Sequence, residues 1–143
     1  MKGINSEEET VSTAPPVRIL IVEDNPEVMA VLRELFLRSG YDVQEARHGA
    51  EALVQLSAPK DALPDLMILD IGLPLESGVG ILEFLRRTLH SALPVIVLTA
   101  SATPQQEEEL ERLGINAYLR KPAPSDLLLA EIKRALATHG RKR

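Results

Sequence analysis

Short apolar runs alternate along the chain with stretches of helical periodicity, and this pattern predicts five strands and five helices. Four of the predicted strands are mostly apolar, and the second alternates apolar and polar residues. Proline, glycine or charged residues bound them, as is usual for buried strands. The predicted strands cover residues 19–22 (with Val17 and Arg18 ahead of them), 41–46, 66–69, 95–98 and 115–119.

Each predicted strand is followed by apolar residues that recur every three or four positions, which is typical of an amphipathic helix. The first helix begins at Pro26 and ends at Ser39-Gly40, with an apolar stripe of Val28, Val31, Leu32, Leu35 and Phe36. The second covers residues 49–56, the third passes through Ile81, Leu82 and Leu85, and the fourth runs from Pro104 to Gly114. The last has Ser125 as its expected cap and Leu127, Leu128, Ile132 and Leu136 on its apolar side.

The order of these elements predicts the fold class. Mostly apolar strands joined by single helices indicate a parallel sheet that is covered on both faces. Right-handed crossovers then make the sheet doubly wound, so the expected fold is α/β.

Polar side chains follow four of the five predicted strands at the point where each strand ends. Glu23 and Asp24 follow the first strand, Asp70 the third, Thr99 the fourth and Lys121 the fifth. Because the carboxyl ends of parallel strands share one edge of the sheet, these side chains are expected to meet in one crevice. Each alone would be an ordinary turn or surface residue, but capping does not readily explain their joint placement.

This combination of residue types predicts phosphoryl chemistry. Three clustered carboxylates repel one another, and Mg²⁺ is the hard divalent cation that suits oxygen ligands. A carboxylate beside that metal can attack a phosphoryl group and form an acyl phosphate. Lys121 and Thr99 could then pair with phosphoryl oxygens.

Composition narrows the function classes further. The chain has 143 residues and no cysteine, which favours one domain and excludes disulfides, thiolate nucleophiles and cysteine-ligated zinc. A net charge of −5 and 3% aromatic residues argue against a nucleic-acid partner. No apolar run is long enough to cross a membrane and no signal peptide is recognisable, so we expect a cytoplasmic protein with no membrane contact.

The predicted domain covers residues 17–138. Residues 1–16 are polar and acidic and are expected to form a disordered leader. Residues 139–143 form a short basic tail. Only six residues follow Ala137, so the expected output is a contact with another protein rather than a further DNA-binding or catalytic domain.

Several motifs together make the chain resemble a bacterial response-regulator receiver domain over residues 17–137. They are ILIVEDNP at 19–26, LMILD at 66–70, Leu73-Pro74 with Gly78, PVIVLTA at 94–100 and AYLRKP at 117–122. The resemblance implies a flavodoxin-like sheet with strand order 2-1-3-4-5. It also implies a signalling switch rather than an enzyme, although one that assists its own phosphorylation and dephosphorylation.

The resemblance also implies roles for individual residues. Asp70 would accept a phosphoryl group from a sensor histidine kinase or a phosphotransfer protein, and a downstream protein target would read the result. A cis peptide bond would precede Pro122, and the first helix would dock the kinase. The protein ligands of Mg²⁺ would be Glu23, Asp24, Asp70 and the backbone carbonyl of Gly72. Lys121 would pair with the phosphoryl group, and Thr99 would move toward it. Tyr118 would be the aromatic residue that changes position in the switch.

The sequence leaves four other functions to compare with this one. A receiver segment of a hybrid histidine kinase is the main alternative to a stand-alone regulator. An aspartyl-nucleophile phosphatase is disfavoured because Gly72 stands where a second aspartate is expected, and a dinucleotide-binding module because no glycine-rich turn follows the first strand. A phosphate-independent scaffold would be expected to lack some of the acidic or lysine positions.

The fourth helix is acidic, since it contains Glu107, Glu108, Glu109 and Glu111. Such a helix face is usually solvated, and it would otherwise suit a basic partner.

Overall fold

The computed structural model describes residues 15–73 and 78–138. Within them it contains the five predicted strands and five predicted helices. Residues 1–14 of the expected leader, the tail at 139–143 and Pro74 of the motif lie outside the described residues.

The elements have the following bounds. The strands are β1 (Arg18–Val22), β2 (Asp42–Ala46), β3 (Leu66–Leu69), β4 (Val95–Thr99) and β5 (Ala117–Arg120). The helices are α1 (Pro26–Arg38), α2 (Gly49–Leu56), α3 (Gly78–Glu83), α4 (Pro104–Leu113) and α5 (Ser125–Thr138), with a short 3₁₀ turn at Lys60–Ala62.

The strands form one sheet in the order β2-β1-β3-β4-β5, and every neighbouring pair is parallel. This order confirms the flavodoxin-like, doubly wound arrangement. In register, Val22 lies beside both Ala46 and Leu69, so β1, β2 and β3 end at the same level. Thr99 pairs with Arg120 at the end of β4 and β5. The sheet therefore has a single carboxyl edge.

Side chains of the three central strands alternate between two cores, as the period of a strand requires. One core lies under α1 and α5 and contains Ile19, Ile21, Leu66, Ile68, Ile96, Leu98, Met29, Phe36 and Ile132. The other lies under α2, α3 and α4 and contains Leu20, Val22, Met67, Leu69, Val95, Val97, Ala52, Leu82 and Leu110. Burial on both faces fixes the strand register, since a slip of one residue would exchange the two sets.

Two residues assigned to apolar helix faces are exposed. Val31 of α1 is 66% exposed and Leu127 of α5 is 42% exposed, so neither lies in the buried part of the apolar stripe to which it was assigned. Each lies at the margin of a stripe whose centre, Leu32 or Leu128, is buried. Ser125 is the first helical residue of α5 rather than the residue before it, and the carbonyl of Pro124 accepts the hydrogen bond from the Leu128 N–H.

The fifth strand begins two residues later than predicted. Asn116 exchanges hydrogen bonds with Val95: its N–H donates to the Val95 carbonyl at 2.8 Å, and its side chain accepts from the Val95 N–H at 2.9 Å. The side chain thus replaces a ladder partner ahead of β5. The second strand starts at Asp42 rather than Tyr41.

The third helix changes geometry partway along. After Glu83 it continues as a π-helical segment, Phe84–Thr88, which widens the turn. The guanidinium of Arg86 in this segment donates to three backbone carbonyls, those of Ser91, Leu93 and Gly114, at 2.8–3.2 Å. Burial lowers the pKa of Arg86. These bonds join α3 to the end of α4.

Among the described residues, no helix combines the length and apolarity that a membrane crossing needs.

Candidate phosphoryl-transfer site

The backbone at the carboxyl edge places the acidic residues. The N–H of Asp70, the residue after β3, donates to the Val22 carbonyl at 3.1 Å. The N–H of Glu23, the residue after β1, donates to the Ala46 carbonyl at 3.0 Å. These bonds extend the sheet by one residue, so both carboxylates project from its rim.

Three carboxylates meet at this rim. Ligand oxygens of Glu23, Asp24 and Asp70 all lie within 4.8 Å of one another. Glu23 is 2% exposed and Asp70 is 7% exposed, whereas Asp24 is open to solvent. Burial raises the pKa of Glu23, and the negative charge of Asp70 adds to that rise, while Lys121 and the Asn25 N–H oppose it. The cluster therefore needs positive charge beside it.

Lys121 supplies part of that charge. Its ammonium lies 2.8 Å from Oε1 of Glu23 and 3.0 Å from Oδ2 of Asp70. The N–H of Lys121 donates to the Thr99 carbonyl at 2.9 Å, which sets the side chain just beyond β5. Burial alone would lower the pKa of Lys121, but hydrogen bonds to the two carboxylates outweigh it and raise the pKa. A cis peptide bond precedes Pro122, as the resemblance implied.

The other oxygen of Asp70 faces Thr99 and Gly72. The Thr99 hydroxyl and the Gly72 N–H each donate to Oδ1 at 2.9 Å. Thr99 is 1% exposed, whereas Gly72 is exposed. A Cβ added to Gly72 would lie 3.5 Å from Oδ1 of Asp70, which is ordinary contact. Both carboxylate oxygens of Asp70 thus accept hydrogen bonds, and a side chain at position 72 would make only ordinary contacts with Asp70 and Thr99.

Asn25 has a positioning role that the sequence analysis did not assign. Its N–H donates to Oε2 of Glu23 at 3.1 Å. Its side chain accepts from the N–H groups of Glu27 and Val28, which caps α1. The signal was present in the sequence, because an asparagine directly before a helix-starting proline is typical of an N-cap.

Tyr118 lies apart from the acidic cluster, where β5 faces α4. Its hydroxyl oxygen is buried and has no hydrogen-bond partner within residues 15–73 and 78–138. Burial raises the pKa of Tyr118, and the neighbouring carboxylate of Glu107 raises it further. The structure therefore brings six of the seven predicted site residues together at the rim and places the seventh beside the fourth helix.

Comparison with known proteins is consistent with this geometry. Residues 19–133 match the family described as "Response regulator receiver domain". The polar-differentiation response regulator DivK of Brucella anthropi is 36% identical over 121 residues, which is 82% of this chain and 94% of that protein. DivK of Brucella ovis is 35% identical over 116 residues, covering 80% of this chain and 92% of that protein.

Solved structures share the fold. A CheY-like response regulator receiver domain protein from Methanospirillum hungatei superposes with a TM-score of 0.82 at 27% identity, covering 89% of this chain and 98% of that one. The receiver domain of a signal transduction histidine kinase from Syntrophus aciditrophicus has a TM-score of 0.76 at 30% identity, covering 89% and 95%. The chain belongs to the response regulator receiver domain family and is a component of two-component signalling.

Proposed function

We propose that the chain is a phosphorylation-activated switch in which Asp70 accepts a phosphoryl group from the phosphohistidine of a sensor kinase or a phosphotransfer protein. The supporting observation is the set of donors around one buried carboxylate. Thr99 and the Gly72 N–H serve one oxygen, and Lys121 serves the other. Phosphoryl transfer needs positioning and charge neutralisation more than further covalent chemistry, and these donors can supply both.

The transfer replaces one bond to phosphorus with another. An oxygen of Asp70 forms a bond to phosphorus while the bond from phosphorus to the imidazole nitrogen breaks, and the electron pair stays on that nitrogen. Lys121 and Thr99 then have phosphoryl oxygens as partners. Hydrolysis of the resulting acyl phosphate by water returns the carboxylate and releases inorganic phosphate.

The residues at the rim fit Mg²⁺. Carboxylate oxygens of Glu23, Asp24 and Asp70 are close enough to share one cation, and hard oxygen donors suit this metal. We infer that the carbonyl of Gly72 completes the protein ligands. The metal would neutralise negative charge on the carboxylates and the incoming phosphoryl group.

Thr99 connects the site to Tyr118. Thr99 ends β4, and Tyr118 pairs with Val97 on the adjacent strand, two residues earlier. A change of partner at the Thr99 hydroxyl shifts the loop that leads into α4, the helix that Tyr118 faces. Tyr118 then repacks, and the surface formed by α4 and β5 changes for a downstream protein.

An apolar groove beside the site is suited to the phosphodonor. It runs between α1 and α5 and is lined by Val28, Val31, Leu35, Lys121, Pro122 and Leu128. Val31 is 66% exposed in this groove. Because a solvent-facing helix position does not require an apolar residue, this valine is suited to contact with a partner. Because Lys121 borders both the groove and Asp70, a helical partner in the groove would bring a phosphohistidine to the acceptor.

The domain responsible covers residues 17–138, and the proposed setting is cytoplasmic, with protein partners and without direct contact to nucleic acid or membrane. This chemistry would serve a stand-alone regulator. The same chemistry would serve a receiver segment of a hybrid histidine kinase, and one structural relative is described as such a receiver domain.

Incubation with acetyl phosphate and Mg²⁺, followed by intact-mass measurement, tests the acceptor. The expected result is one phosphoryl adduct on the wild-type chain, none on Asp70→Asn, and a full adduct on the exposed control Asp61→Asn. An adduct that persists in Asp70→Asn would refute the assignment. Rapid multiple turnover with no adduct would indicate a phosphatase instead, and transfer at full rate in EDTA would refute the metal.

A further inference from the structure

The first turn of α3 lies against the backbone of the residues that follow β3. Gly78, the first residue of α3, is buried, and its N–H donates to the Ile71 carbonyl at 3.4 Å. A Cβ on Gly78 would lie 2.4 Å from Cα of Ile71, 2.8 Å from Cγ2 of the same residue and 2.9 Å from the carbonyl oxygen of Asp70. Two of these three atoms belong to the backbone, which cannot rotate out of the way. Only glycine fits at this position.

The requirement for glycine at position 78 is one of space. Gly40 and Gly114 have positive φ angles, whereas Gly78 does not, so its backbone conformation would suit other residues. Because ordinary contacts of a Cβ begin at 3.4 Å, a side chain would have to push α3 and Ile71 apart by about 1 Å. The close packing of this part of the core thus depends on the missing side chain.

Such a displacement would fall on the side of the acceptor. α3 is fixed by its buried residues Ile81 and Leu82 and, farther along, by the hydrogen bonds of Arg86 to three carbonyls. Ile71 is buried as well, but it is followed directly by the exposed Gly72. The segment that leads into Gly72 is therefore easier to displace than the helix.

Gly72 connects this packing contact to the chemistry of the site. The peptide bond between Ile71 and Gly72 carries the N–H that donates to Oδ1 of Asp70 at 2.9 Å. The proposed function also assigns the Gly72 carbonyl to Mg²⁺. Since a reactive constellation must be held to within about 0.5 Å, a shift of about 1 Å in Ile71 would disturb both contacts.

We infer that Gly78 is a positioning residue of the phosphoryl-transfer site: its missing side chain lets α3 hold the Ile71–Gly72 peptide where Gly72 reaches both Asp70 and Mg²⁺. This inference rests on the proposed function, which supplies the metal and the acceptor. Gly78 touches neither of them and acts through the backbone. Loss of a group that orients a metal ligand typically weakens metal binding by about ten- to a hundredfold.

Gly78→Ala tests the inference, with Mg²⁺ alone as the probe. NMR of the full chain follows the backbone amide signal of Gly72 during a Mg²⁺ titration without any phosphodonor. The affinity for Mg²⁺ should fall at least about tenfold. In the metal-free chain, hydrogen exchange at the Gly72 amide should become faster, because its bond to Asp70 is weakened. An unchanged affinity in the folded variant would overturn the inference.

Gly40→Ala is the matched control for a loss of stability. Gly40 follows α1, at the edge of the sheet opposite the acidic cluster, and its φ of +92° disfavours alanine there although no other atom is close. Both variants should unfold at a lower urea concentration than the wild type, but only Gly78→Ala should bind Mg²⁺ more weakly. Equal weakening in both would reduce the effect to a general loosening of the fold and overturn the inference.

Ile71→Ala provides the test if Gly78→Ala does not fold. This variant removes Cγ2, the side-chain part of the contact, so α3 holds residue 71 less firmly. Its affinity for Mg²⁺ should fall, although by a smaller factor. Leu56→Ala empties another position in the same core, away from the site, and should leave the affinity unchanged. If Ile71→Ala binds Mg²⁺ as tightly as Leu56→Ala does, the inference is overturned.

Mg²⁺ binding and adduct formation are measured separately, so this inference and the proposed function can fail separately. Weaker Mg²⁺ binding in Gly78→Ala, with no adduct on the wild-type chain under acetyl phosphate and Mg²⁺, would contradict the proposed function and support the inference. An adduct on the wild-type chain, with unchanged Mg²⁺ binding in Gly78→Ala, would do the reverse.

Discussion

The hydroxyl of Thr99 donates a 2.9 Å hydrogen bond to Oδ1 of Asp70, across 29 residues of sequence. Thr99 is almost fully buried at the end of β4, so this contact joins two neighbouring strands at their rim. A group added to Oδ1 of Asp70 would therefore replace this hydrogen bond, and we expect the loop after β4 to respond.

Thr99→Val should separate acceptance of the phosphoryl group from the response to it. The variant keeps the volume of the side chain but loses the donor, at a cost of about 1 kcal/mol in the free energy of unfolding. Asp70 should still form the adduct, while the NMR signals of the Tyr118 ring no longer shift when beryllofluoride and Mg²⁺ are added. Thr99→Ser keeps the hydroxyl and should retain the shift. If the Tyr118 ring signals shift in Thr99→Val as much as they do in the wild type, this result would contradict the proposed link from Asp70 through Thr99 to Tyr118.

Lys121→Met should destabilise the fold when Mg²⁺ is absent. The substitution leaves the buried carboxylate of Glu23 and that of Asp70 without their ammonium partner, so we expect unfolding by urea to show a loss of about 2 kcal/mol. Adding Mg²⁺ should recover most of the loss, since the metal replaces the missing charge, but phosphorylation by acetyl phosphate should remain poor. The exposed control Lys133→Met should change neither quantity. Equal stability of Lys121→Met and the wild type without metal would rule out the proposed charge balance.

Val31→Glu should impair transfer from a protein donor only. A carboxylate in the α1–α5 groove opposes an apolar helix, whereas acetyl phosphate needs no docking surface. We expect labelled phosphoryl transfer from a panel of histidine kinases and phosphotransfer proteins to fall about tenfold or more, with adduct formation from acetyl phosphate unchanged. Val54 of α2 is 72% exposed and offers the matched control Val54→Glu. Equal effects of the two substitutions would show that α1 is not part of the surface that docks the phosphodonor.

Gly72→Val should lengthen the lifetime of the phosphorylated state. Gly72 has no left-handed backbone angle, and a Cβ there makes only ordinary contacts, so the fold should accept the side chain. An apolar group beside Asp70 would obstruct the water that hydrolyses the acyl phosphate. Decay of the adduct, followed by mass after removal of acetyl phosphate, should slow several-fold, with a smaller effect for Gly72→Ala. An unchanged decay rate in both variants would show that water reaches the phosphoryl group by another path.

The titration of Tyr118 offers a pH test. Its pKa lies above the ordinary 10.0, first because of burial and then because of the Glu107 carboxylate. Tyr41→Phe leaves Tyr118 as the sole tyrosine of the chain, so its tyrosinate absorbance can be followed alone. Since the folded pKa is raised, the contribution of Tyr118 to stability is fully present below pH 10 and is lost as the pH rises through the folded value. Adding Glu107→Gln should lower that pKa in part, and no change would place Glu107 too far away to act.

The sequence predicted the fold well because its signals were local and periodic. Strands that are apolar almost throughout, such as β3 and β4, are typical of a covered parallel sheet, and polar residues at their ends then share one edge. The exposure of Val31 could not be read in the same way. Periodicity locates a stripe on a helix, but the width of the stripe in contact with the sheet depends on how the helix is placed.

The hydrogen-bond and ion-pair partners of side chains were harder to predict from the sequence than the positions of the residues along the sheet edge. The position of Lys121 at the rim followed from its place after β5. Its contact with Glu23 could not be predicted in this way, because it depends on how the two side chains pack in the folded protein. The bonds of Arg86 are less predictable still, because they join three carbonyls from two separate loops. An arginine followed by a second arginine, as here with Arg87, normally indicates a solvated helix end.

Arg86 holds one end of α4 in place. Its guanidinium fixes the Gly114 end of the helix to the loop before β4. The opposite end begins at the Thr103 cap, close along the chain to Thr99. A displacement that starts at Thr99 would therefore be expected to tilt α4 about its Gly114 end, with Gln105 moving more than Leu113. A protein that distinguishes the phosphorylated state would be expected to contact the start of the helix rather than its restrained end.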